Sequence, residues 1–186
     1  MSSHNPIFSL RRLAAALALA LVVLPAFGAS PQITTVVVVR HGEKAADDPH
    51  DPTLSPAGQE RAQTLAKALD GAGLSAIYVS EFRRTQLTAA PTAQRFGLTP
   101  EIRPAATVET TAYAKALAAK ILSKNAGKSV LVVGHSNTVP AIVKALSGRV
   151  VPEIDEATEF DRLYVVEVPK TGAARVVEAR YGKPKA

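Results

Sequence analysis

The chain has 186 residues, a formal charge of +6, 5% aromatic residues and no Trp. This fits one domain whose core is built mainly from Ala, Val and Leu. With no cysteine, disulfides, thiol catalysis, Cys-bound zinc, iron–sulfur clusters and a lipoprotein anchor are excluded. The basic residues are scattered singly or in pairs, so no nucleic-acid face is indicated and a modest preference for anionic ligands remains.

In chain order, residues 1–28 read as a secretory signal peptide. Arg11 and Arg12 precede an unbroken apolar run from Leu13 to Leu24, and Pro25 ends it before the small-residue site Ala26-Phe27-Gly28. The run is short against the roughly 20 residues a bilayer span needs. The expectation is a periplasmic or secreted protein, with no membrane association after cleavage and a single mature domain over residues 29–186. An uncleaved N-terminal anchor is the alternative, and the paired arginines also permit a twin-arginine export route.

Ile33 to Val39 is dense in β-branched residues and reads as a strand buried on both faces. A polar loop over residues 42–52 leads to Ser55 as N-cap and Pro56 at the first helical position, predicting a helix to about Leu69 that Gly71 and Gly73 stop. Ala76 to Val79 is a short strand, followed by a helix from about Phe82 to Phe96. Residues 98–109 read as a loop. A helix over Thr111 to Ser123, a strand over Ser129 to Val133 and a helix over Thr138 to Leu146 follow. Leu163 to Val168 and Arg175 to Ala179 read as a closing antiparallel pair. This alternation predicts a single-domain, three-layer α/β sandwich with a mostly parallel central sheet and helices on both faces.

Two buried strands end abruptly in polar clusters, Arg40-His41-Gly42-Glu43 and Gly134-His135-Ser136-Asn137, and a third runs into Ser80-Glu81-Phe82-Arg83-Arg84. Ligands in open α/β sheets bind outside the carboxyl ends of strands. A neutral imidazole is a good nucleophile toward phosphorus, and guanidinium forks match phosphate oxygens. Several positive donors suit the spread charge of a phosphoryl group in transfer.

Arg40-His41-Gly42 after a strand, Leu54-Ser55-Pro56-Ala57-Gly58 opening the next helix, Ser80 with Arg84, Thr88 and Ala89, and the Gly134-His135 turn occur in one order. In that order they resemble the histidine phosphatase superfamily, also called the phosphoglycerate-mutase-like fold. Glu81 and Thr85 depart from its pattern. The resemblance implies that His41 is the nucleophile, that Arg40 and Arg84 bind the phosphoryl oxygens and that His135 stabilises their charge. It implies a metal-independent phosphomonoester hydrolase that forms a phosphohistidine and needs no cofactor. It also implies an acid some 25 residues past Arg84, for which Glu109 is favoured and Glu101 is the alternative. Ser136 and Lys44 are candidate substrate contacts. A phosphorylated small molecule, an envelope glycolipid or a phosphoprotein is the expected substrate.

Other readings remain. Gly134-His135-Ser136-Asn137-Thr138 resembles a nucleophile elbow, but no histidine follows His135 to complete that triad in its chain order. A metal-dependent hydrolase lacks paired ligand spacing. A non-catalytic periplasmic binding domain and a phosphoglycerate-type mutase also stay open.

Overall fold

The computed structural model describes residues 32–183, so the signal-peptide reading lies outside the described residues. The elements in order are β1 (Ile33–Arg40), α1 (Pro56–Ala68), β2 (Leu74–Val79), α2 (Arg83–Phe96), β3 (Glu101–Ile102), α3 (Thr110–Lys124), β4 (Ser129–Gly134), α4 (Thr138–Ser147), β5 (Arg162–Pro169) and β6 (Arg175–Arg180). They build one six-stranded sheet in the order β3-β2-β4-β1-β5-β6. Pairing is parallel from β3 through β1, while β5 and β6 join antiparallel. The expected mostly parallel sandwich is the observed fold. The short strand β3 falls where a loop was expected. Two residues leave no periodicity to read, and Tyr78 and Val79 of β2 supply the pairing.

The valine run of β1 works because successive side chains of a strand face opposite sides. Val36 and Val38 join Val130 and Val132 beneath α3 and α4, while Val37 and Val39 join Leu131 and Val133 beneath α1 and α2. Both faces are therefore dry. Full burial of each such side chain contributes about 1.5–3 kcal/mol. Ser55 caps α1 as expected, its Oγ accepting from Gly58 N at 3.2 Å. Arg61 on α1 is buried and donates from Nε and Nη2 to Glu43, and from Nη1 and Nη2 to the carbonyls of Tyr181 and Lys183. This one guanidinium ties the loop after β1 to the last described residues. Among the described residues, no helix is long and apolar enough to cross a membrane.

Candidate active site

The parallel pairing of β1 with β4 sets Arg40 opposite Gly134. The two residues that follow therefore leave the sheet side by side. His41 N donates to Gly134 O at 3.0 Å, and the His41 and His135 rings meet edge to face with centroids 5.3 Å apart. Gly134 is required by packing, because a Cβ there would lie 2.6 Å from Thr138 Oγ1. That hydroxyl accepts from His135 N at 2.8 Å and holds the turn.

His41 Nδ1 lies 2.7 Å from Gly42 O. A carbonyl only accepts, so Nδ1 carries the proton and Nε2 keeps its lone pair. Burial pushes the His41 pKa down to about 2, aided by His135, Arg40 and Arg84 and opposed by the Gly42 carbonyl. Burial together with Arg84 and Arg40 pushes His135 down to about 4, against the fields of Glu81 and Glu156. Both imidazoles are neutral at pH 7. His135 Nε2 is bound to Ser80 Oγ at 3.0 Å, and the Phe82 ring packs edge to face on His135.

Arg84 lies in the first turn of α2, with its guanidinium 4.2 Å from the Phe82 ring centroid and Nη1 3.7 Å from Asp51 Oδ1. Thr88 joins this helix to the loop after β1: it accepts from Gly42 N at 2.9 Å and donates to Arg84 O at 2.7 Å. Arg83 is exposed, and its backbone N–H donates to Asp51.

Arg40 is more committed than the sequence suggests. It is 1% exposed, Nη1 donates to Asp155 O and Glu159 O at 3.0 Å each, and Nη2 donates to Glu156 O at 2.8 Å. Phe160 stacks beneath it at 4.0 Å. Arg40 thus clamps the turn between α4 and β5. Its Nε, like that of Arg84, is buried with no hydrogen-bond partner among the described residues. Two unpaired N–H donors beside two histidines mark a place prepared for an anion.

A cleft of about 470 Å³ opens over this end of the sheet, and His41, Arg84, His135, Ser136 and Glu156 are among its lining residues. Glu109 is not among them. Its carboxylate accepts from Thr111 N and Ala112 N as the N-cap of α3, and these bonds hold its pKa down. Glu109, expected as the leaving-group acid, stands at this helix cap and outside the cleft lining. Glu101 is paired with Arg103 and Lys120 at the sheet edge. Lys44, expected as a substrate contact, lies outside the lining and pairs with Glu156 at 3.3 Å. Glu156 was missed, because a single glutamate in an acidic turn carries no local signal. Among the described residues, no group of three or more His, Asp and Glu side chains is placed to hold a metal ion.

The family model described as histidine phosphatase superfamily (branch 1) matches residues 36–107. No curated protein matches in sequence. Among solved structures, a mycobacterial glucosyl-3-phosphoglycerate phosphatase is similar at 15% identity and TM-score 0.64, over 81% of this chain and 100% of that one. The protein histidine phosphatase SixA, in complex with tungstate, is similar at 20% identity and TM-score 0.59, over 82% and 96%. A phosphoserine phosphatase from Entamoeba histolytica, in complex with 3-phosphoglyceric acid, is similar at 14% identity and TM-score 0.59, over 81% and 98%. At these identities the likeness is one of fold. Residues 36–107 thus match the histidine phosphatase superfamily in sequence, and the chain shares the fold of these phosphatases.

Proposed function

We propose that the protein hydrolyses phosphomonoesters through a covalent phosphohistidine on His41, in the periplasm or outside the cell. The observation that carries this reading is the Nδ1 contact to Gly42 O, which leaves a neutral imidazole with its Nε2 lone pair free beside two arginines. The phosphoryl group sits against Arg84 and His135, with Ser136 at the rim, while Arg40, buried and outside the cleft lining, acts through its charge. His41 Nε2 forms a bond to phosphorus as the bond to the ester oxygen breaks. The alcohol oxygen takes a proton from water in the open cleft. The hydroxide left behind attacks phosphorus, the N–P bond breaks, and phosphate leaves with His41 neutral again. Developing charge on the phosphoryl oxygens is met by the arginines and by a proton on His135, whose affinity for it rises once a dianion is bound.

Rapid quench with labelled substrate and peptide mapping tests the reading. An acid-labile, base-stable label is expected on His41, absent from His41→Ala. His135→Ala should keep labelling but slow turnover by about 10²–10³, the usual effect of removing one such donor. A label on Ser136, or turnover surviving His41→Ala, would overturn it.

A further inference from the structure

The far side of the cleft differs from the phosphoryl end. Its wall comprises Ala105, Ala106, Val108, Thr110 and Asn137, with no cationic side chain among them. Glu81 holds this wall in place, its carboxylate accepting from Ala105 N and Ala106 N at 2.8 Å each. The one carboxylate among the described lining residues is Glu156. Its side chain is 67% exposed, but its main chain is fixed by Arg40 through the 2.8 Å bond to Glu156 O. Position along the mouth is therefore set from the buried end of β1.

The charge balance is tight. Arg40 and Arg84 are the lasting positive charges at the phosphoryl end; Glu156 acts against both, with Asp155 and Glu43 also acting on Arg40 and Asp51 and Glu81 on Arg84. A bound phosphoryl dianion already exceeds what remains. A further negative charge on the leaving group would lie between that dianion, a neutral wall and the Glu156 carboxylate. Lys44 lies outside the cleft lining, and its pair with Glu156 is an exposed and therefore weak one, so Glu156 remains the carboxylate that faces the cleft.

We propose that the cleft selects phosphomonoesters with uncharged or cationic leaving groups, and that Glu156 is the residue that turns carboxylated ones away. This rests on the phosphatase reading above. Two unit charges ~6 Å apart at an effective dielectric of ~40 repel enough for a factor of about ten.

The test uses a matched pair of esters, glycerol 3-phosphate and 3-phosphoglycerate, which differ by one carboxylate. The ratio of kcat/KM in the wild-type protein should favour glycerol phosphate by about tenfold, and should shrink as added salt screens the mouth. Glu156→Gln should bring the ratio to within about threefold of unity, and Glu156→Lys should invert it. The side chain is exposed and the clamp uses main-chain carbonyls, so both variants retain the fold. The same pair is measured by calorimetric binding to His41→Ala, which reads selection without chemistry. A tenfold binding ratio in His41→Ala without wild-type turnover would sink the phosphatase reading and leave the selection standing. A wild-type ratio near one, a ratio favouring phosphoglycerate, a ratio unchanged in Glu156→Gln, or binding of neither ester would overturn the proposal.

Discussion

Gly58 offers a sharp test of how the loop that carries His41 is held. It sits in the first turn of α1, where an added Cβ would lie 2.3 Å from Glu43 O and 2.9 Å from Glu43 N. Both are backbone atoms, and Glu43 O already accepts from Ser55 N at 2.9 Å. Neither can swing aside as a side-chain tip can. Gly58→Ala gains about 1 kcal/mol of helix propensity. Against this stand overpacking of about 1–3 kcal/mol and strain on one hydrogen bond worth about 1 kcal/mol. The expected net loss is about 1–3 kcal/mol, or a fall in Tm of very roughly 3–10 °C for a domain of this size. Because the shift falls two residues past His41, kcat should also drop, by up to about 10²-fold for a displacement near 1 Å. Urea unfolding followed by far-UV circular dichroism suits a chain without Trp, alongside turnover of an aryl phosphate. A Gly58→Ala protein as stable as the wild type, with full kcat, would refute this account of the loop.

Glu109→Gln should weaken the α3 cap and lower Tm, while leaving the ratio of alkyl to aryl ester rates unchanged. A selective loss of about 10²-fold or more on alkyl esters would restore Glu109 as the leaving-group acid. His41 is held neutral in the fold with its pKa pushed down to about 2, against about 6.5 in the unfolded chain. Below pH 6.5 the unfolded chain therefore binds a proton that the fold refuses. The stability from neutral His41 is full above that value and declines as pH falls toward 2. Denaturation midpoints in His41→Gln should accordingly fall less between pH 7 and pH 4 than in the wild type, and parallel curves would contradict the burial argument. Activity should survive dialysis against a strong chelator, and recovery only on adding zinc or magnesium would point to a metal-dependent hydrolase instead.

Much of the fold was legible because its signals are local. A β-branched run over Ile33 to Val39, a Ser55-Pro56 helix start and Gly97 at the end of α2, with φ 64°, each follow from the conformational preferences of nearby residues. The chemical types at the strand ends were equally plain, since His41 and His135 each directly follow a buried strand. What the chain order could not reveal is that β4 lies beside β1, for 88 residues lie between Arg40 and Ser129, where β4 begins, and no local preference spans such a gap. Strand adjacency comes from burying both faces of one sheet at once, and it is what brings the two histidines together. The same limit hid the partners of charged groups. Arg40 reaches carbonyls more than a hundred positions away, and Arg61 reaches Glu43, Tyr181 and Lys183. Glu109 and Glu156 look alike as letters. Glu109 finds its donors locally, two and three residues on at the start of α3, whereas only tertiary structure brings Glu156 to the cleft, because a side chain's role depends on which unpaired donors it meets.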